Sequence, residues 1–68
     1  MIILYSKEDC QPCKAVKRWL DSKGAEYEVR GPDEAIAAGY RSVPVAVKGT
    51  KEVFGFDISG LAGLTGDG

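Results

Sequence analysis

An apolar run at 2–5, an amphipathic stretch at 11–23 and an alternating segment at 26–30 follow one another at the start of the chain. This succession constrains the fold more than any other feature. Ile2-Ile3-Leu4-Tyr5 is continuously apolar and β-favouring, which suits a central strand covered on both faces. Over 11–23, Val16, Trp19 and Leu20 recur at helical spacing, Lys14, Lys17, Arg18 and Asp21 fill the other face, and Gly24 supplies a stop. Glu26-Tyr27-Glu28-Val29-Arg30 alternates with period two, as a half-covered edge strand does. Strand, helix and strand at this spacing imply a right-handed crossover joining two parallel strands.

Gly31-Pro32 breaks the second strand, and 33–38 leaves room only for a short helix before Gly39. Residues 43–47 read as a second covered strand, Gly49-Thr50 as a turn, and 51–54 as an antiparallel hairpin partner. Asp57 can cap a last helix carrying Ile58, Leu61, Ala62 and Leu64, which Gly60 and Gly63 weaken by about 1 kcal/mol each relative to Ala. The tail over 65–68 is expected to fray. The whole reads as an α/β chain, a βαβ unit followed by αββα, with a four-stranded mixed sheet flanked by helices.

With 68 residues the chain is expected to form a single domain, too short for a second core, so its chemistry should lie near the surface. Nine Lys and Arg against ten Asp and Glu give a net charge of −1, which provides no positive field to gather nucleic acid or an anionic membrane. A protein partner is the better expectation. No apolar run approaches the roughly 20 residues of a spanning helix, and the first residues lack the basic-then-apolar pattern of a signal peptide. The reducing cytoplasm is therefore the expected compartment, and there a permanent structural disulfide is rare.

Both cysteines lie in Cys10-Gln11-Pro12-Cys13, between the first strand and the first helix. Two thiols at this spacing can alternate between dithiol and disulfide. The thiolate is the nucleophile, and an unperturbed cysteine is only about 3% ionised at neutral pH. At a helix N-terminus, Cys10 would face unpaired backbone N–H groups and the positive end of the macrodipole, both of which favour an anion. Pro12 fits the first turn, where a missing N–H breaks no helical bond. Cys13, one turn in and on the side of Val16 and Leu20, should be the less exposed sulfur. Cys10 is thus read as nucleophile and Cys13 as resolver; Lys7 and Lys14 can assist the anion, while Glu8 and Asp9 oppose it. A zinc site wants about four ligands, against two thiols and no histidine here, and two core cysteines at coincidental spacing are the other bland reading. An iron–sulfur or zinc carrier sharing Cys10 between two chains is a third class.

Tyr5-Ser6-Lys7, Asp9-Cys10, Cys13, Lys17-Arg18, Leu20-Asp21, Gly24, Tyr27-Glu28-Val29, Gly39-Tyr40-Arg41-Ser42, Pro44-Val45 and Gly55-Phe56 together resemble the NrdH-redoxins. That family joins a glutaredoxin-like sequence and a thioredoxin fold to thioredoxin-like behaviour. The resemblance runs from about Ile2 to Leu64. It implies a minimal thioredoxin fold, electron delivery to a class Ib ribonucleotide reductase, recharging by thioredoxin reductase with NADPH rather than by glutathione, and no bound cofactor. It also implies a cis Val43–Pro44 bond whose backbone lies beside Cys10 and meets an incoming partner strand. Lys7, Gln11, Pro12, Val43, Pro44, Gly55, Phe56 and Asp57 are the expected partner-binding residues, in a monomer without a metal.

The chain departs from the family in three places, one of them the stretch between Val29 and Gly39, which is short, so the second helix is trimmed. The C-terminal signature, approximately Trp-Ser-Gly-Phe-Arg-Pro-Asp, is here Val53-Phe54-Gly55-Phe56-Asp57, and between the cysteines Gln-Pro replaces the usual Val-Gln. Proline before Cys13 is the thioredoxin arrangement and favours a potential nearer about −270 mV than the roughly −200 to −230 mV of glutaredoxins. The competing reading is a glutathione-dependent glutaredoxin, with Lys7, Val43 and Asp57 around the tripeptide and Gly55 as the second glycine of a Gly-Gly-x-Asp turn. Of the remaining residues, Phe54 and Phe56 flank Gly55, with at least one expected in the core; Trp19 is read as packing; Tyr40-Arg41 as partner contact or solvated turn; Lys14, Lys17 and Arg18 as a solvated helix face.

Overall fold

The computed structural model describes residues 1–65. Seven elements follow in order: β1 (Ile2–Tyr5), α1 (Gln11–Ser22), β2 (Tyr27–Arg30), α2 (Pro32–Ala37), β3 (Val45–Lys48), β4 (Lys51–Phe54) and α3 (Ile58–Thr65). The sheet runs β2-β1-β3-β4, with β1 parallel to β2 and antiparallel to β3, and β3 antiparallel to β4. This is the expected βαβ-αββα arrangement, the thioredoxin-like fold, with a C-terminal helix. Among the described residues no helix is long and apolar enough to cross a membrane.

Helix α1 ends where glycine allows it: Lys23 is the C-cap, and Gly24 at φ +66° donates its N–H to the Asp21 carbonyl at 3.1 Å. Its buried face is Cys13, Val16 and Leu20. Val16 and Leu20 meet Ile2 and Leu4 of β1, Ala46 and Val53 of β3 and β4, and Leu61 and Leu64 of α3 in one core. Burial of each such aliphatic side chain contributes roughly 1.5–3 kcal/mol, so this layer holds the helix that carries the cysteines. Trp19 is half-buried against the core, as its place on the stripe implies, with Lys23 Nζ 5.4 Å from its ring centroid. Asp57 caps α3 by accepting from the Gly60 N–H at 3.4 Å.

The opposite face of the sheet is thinner than the sequence suggests. Ile3 and Tyr5 are only partly buried, so β1 is covered fully on one side alone. The reason is length: α2 has six residues and buries only Ala35, leaving Ile36 at 69% exposure. Phe54 and Phe56 are both largely exposed, at 58% and 46%, which corrects the expectation that one of them is core. Strand alternation explains Phe54, because Val53 takes the inward position on β4 and Phe54 falls on the thinly covered face, while Phe56 lies past the end of that strand. Strand β3 begins at Val45 rather than at residue 43, and the two preceding residues belong to a loop. Of the tail expected to fray, Thr65 ends α3 with its hydroxyl donating to the Ala62 carbonyl at 3.1 Å; 66–68 lie outside the described residues.

Candidate active site

Four chain segments meet at one end of the sheet. Tyr5 at the end of β1 pairs with Arg30 at the end of β2 and with Val45 at the start of β3, which in turn pairs with Phe54 at the end of β4. The loop leaving β1 carries Lys7 to Cys10, and the loop entering β3 carries Val43 and Pro44, so register alone brings the cysteine loop and the proline loop to the same end.

Cys10 is the N-cap of α1, with extended backbone at φ −114° and ψ 106°. Its Sγ accepts a hydrogen bond from the Cys13 N–H at 3.2 Å, the place a serine or aspartate oxygen takes in an ordinary cap. The Lys14 N–H donates to the Cys10 carbonyl at 3.1 Å and begins the helix. Pro12 lies in the first turn. Cys10 and Cys13 are joined as a disulfide with Cα atoms 5.2 Å apart, and Cys13 is the less exposed, at 1% against 6%. Asp9 adopts φ +56°, the left-handed region, and is the one non-glycine residue to do so among those described. That turn swings the chain from the strand direction into the helix. In sequence Asp9 stands out only as a charge; its place just ahead of a helix start, in a residue type that tolerates this conformation, is the signal for the turn.

Two clefts flank the β1–α1 loop. One, of about 610 Å³, is lined by Ser6, Lys7, Cys13, Lys14, Val29 and Pro32 among others. The second, of about 330 Å³, is lined by Lys7, Pro32, Ile36, Tyr40, Arg41 and Val43 among others. Lys7 and Pro32 line both, the cleft that reaches Cys13 and the cleft beside Val43. Gln11 is exposed on the helix opening, Val43 half-buried and Pro44 buried. The Val43–Pro44 bond is cis, and the Pro44 carbonyl accepts from the Gly55 N–H at 2.9 Å. Gly55 sits at φ +71°, which a side chain would strain, and turns the chain out of β4 toward Phe56 and Asp57. The Asp57 carboxylate is occupied at the α3 N-terminus.

Tyr40 is the residue whose part the sequence did not disclose. It is neither a solvated turn nor a free contact residue: its ring packs 5.4 Å from that of Tyr5 and 6.1 Å from that of Phe54, and its hydroxyl donates to the Glu52 carboxylate. That hydrogen bond, then burial and the Glu52 charge, push the Tyr40 phenol up to about 12. Tyr27 is pushed up to about 12 at the other end of the molecule by burial and by donating to Asp21 at 2.7 Å. Shared strand register put Tyr5 and Phe54 on one face; nothing in the sequence linked Glu52 to Tyr40.

Comparison with known proteins bears on what this site does. The glutaredoxin family profile matches residues 2–53. The glutaredoxin-like protein NrdH of Lactococcus lactis subsp. lactis is 35% identical over 71 residues, covering 94% of this chain and 99% of its own. The NrdH-redoxin of Escherichia coli, a glutaredoxin-like protein described as having a thioredoxin-like activity profile, superposes with a TM-score of 0.71 at 33% identity, over 82% of this chain and 83% of that one. The crystal structure of a thioredoxin-like protein superposes with a TM-score of 0.80 at 30% identity, over 94% and 99% of the two chains.

Proposed function

The chain belongs to the glutaredoxin family, among its NrdH-redoxins, and is a thiol-disulfide oxidoreductase that acts on protein partners; we propose that it is the cytoplasmic electron donor to a class Ib ribonucleotide reductase, recharged by thioredoxin reductase. The observation that carries the chemistry is the position of Cys10 as the N-cap of α1 with Cys13 one turn behind it.

In the reduced protein, the Cys10 sulfur sits where the first-turn N–H groups and the helix dipole stabilise a thiolate. The thiolate attacks one sulfur of the partner disulfide, forming a Cys10–partner bond while the second partner sulfur leaves as thiolate and takes a proton from water. Cys13 then gives up its proton and attacks the Cys10 sulfur. The mixed disulfide breaks, the partner's remaining thiolate leaves and is protonated, and two electrons have passed from the dithiol to the partner. Thioredoxin reductase returns the pair to the dithiol with electrons from NADPH, so this chain itself needs no bound cofactor. Lys7, Gln11, Pro12, Val43, Pro44, Gly55, Phe56 and Asp57, in the helix start and the loops at the cysteine end of the sheet, receive the partner segment.

Thioredoxin reductase as the reductant is supported by proline ahead of Cys13 and by the thioredoxin-like activity of the similar E. coli protein. A coupled assay tests it: NADPH oxidation with insulin or ribonucleotide reductase as acceptor, supplied through thioredoxin reductase in one arm and through glutathione and glutathione reductase in the other. Turnover is expected in the first arm. Turnover confined to the glutathione arm would overturn the proposed electron source.

A further inference from the structure

The loop between α2 and β3 is tied at both ends and unpaired between them. At its start, the Tyr40 N–H donates to the Ala35 carbonyl at 2.9 Å, the ring lies between Tyr5 and Phe54, and the hydroxyl reaches Glu52 on β4. At its end, the Pro44 carbonyl takes the Gly55 N–H at 2.9 Å. Among the described residues, the backbone groups of Arg41, Ser42 and Val43 have no hydrogen-bond partner. Three residues of free backbone at the cysteine end of the sheet form a short edge that an extended peptide can join, provided the edge is held still.

We propose that Tyr40 and Glu52 are positioning residues, fixing this edge so that a partner strand pairs with it in the register that delivers its disulfide to Cys10. The proposal rests on the redox reading above and adds the device that aligns the partner. The phenol-to-carboxylate bond is charge-assisted and links the loop to the strand whose far end supplies Gly55, so the loop and the turn after β4 move as one body. Without that bond the rings still pack, but rotation of Tyr40 lets 41–43 shift relative to Cys10, and an ill-placed strand costs reactivity because thiol attack needs aligned sulfurs.

The test compares two substrates that differ in the need for a strand. Insulin presents a disulfide within peptide chain, whereas Ellman's reagent is a small disulfide with no backbone to pair. The ratio of their kcat/KM values, taken from the reduced protein, isolates alignment from sulfur reactivity. Tyr40→Phe is expected to lower the insulin-to-reagent ratio about fivefold, because solvent exposure holds the net worth of this charge-assisted bond close to that of a neutral one. Glu52→Ala should lower it equally, and the double variant no further than either alone. Glu52→Gln keeps an acceptor for the hydroxyl and should restore most of the ratio. Thermal unfolding of each variant confirms that the folded protein is being compared. A ratio unmoved by Tyr40→Phe and Glu52→Ala, or both substrates slowed in proportion, would overturn the positioning role while leaving the redox reading intact. Failure of the native protein to reduce either substrate would overturn both.

Discussion

The Cys10 sulfur caps the helix that Cys13 helps to anchor, taking the Cys13 backbone N–H at 3.2 Å. One contact therefore sets both roles, since the sulfur nearer the free N–H groups is the better anion and the one behind it is held in the core at 1% exposure. Cys10→Ser is expected to abolish turnover, whereas Cys13→Ser should accumulate mixed disulfides with partner proteins. Mass spectrometry of the complexes under non-reducing conditions checks this; equal trapping by both variants would reverse the assignment.

Asp9, at φ +56°, offers a way to tune that sulfur without touching it. Asn tolerates the same conformation, so Asp9→Asn keeps the turn and removes a negative charge next to Cys10. The Cys10 thiol should ionise more readily, seen as thiolate absorbance developing at lower pH than in the native protein. Asp9→Val instead forces a β-branched residue into the left-handed region and should cost about 1–3 kcal/mol of stability, measured by urea unfolding.

Gly60 and Gly63 look alike in sequence and differ in space. A Cβ on Gly60 would lie 3.0 Å from both methyl groups of the buried Val53, whereas one on Gly63 meets nothing within 4 Å. Gly63→Ala should therefore stabilise the protein by up to about 1 kcal/mol through helix propensity. For Gly60→Ala the same gain is set against overpacking of roughly 1–3 kcal/mol, and net destabilisation is expected. Urea midpoints of the two variants against native protein decide it.

Alkaline pH should unfasten the two tyrosine bonds. The Tyr27 and Tyr40 phenols, ordinarily near 10, are both pushed up to about 12, the first mainly by burial and the second mainly by Glu52. Between those values the unfolded chain loses the phenol protons and the folded chain keeps them, so the folded state binds more protons and stability falls as pH rises. The contribution is whole below about pH 10 and gone above about pH 12, in the direction of the raised pKa values. Tyr40→Phe should flatten this decline, read from urea midpoints across the window alongside phenolate absorbance.

Periodicity made the first half of the fold legible: Val16, Trp19 and Leu20 located α1, and alternation located β2 as an edge strand. The cysteine pair was legible because both its chemistry and its helix position follow from local sequence. What stayed hidden was tertiary. That six residues of α2 would leave Ile3, Tyr5 and Phe54 thinly covered depends on how far a short helix reaches across a sheet, which no local pattern records. The Tyr40–Glu52 bond spans twelve residues and two elements, and the need for a bare Cα at Gly60 arises from the Val53 methyls and the Asp57 carboxylate that face it.

Titration of the reduced protein tests the account at its root. If the first turn of α1 holds Cys10 as an anion, its thiol should ionise below the roughly 8.5 of a free cysteine, and Cys13 should ionise at higher pH than Cys10. NMR of the labelled cysteine β-carbons across the pH range separates the two thiols. A Cys10 thiol that remains protonated to about pH 8.5 or above would contradict the mechanism.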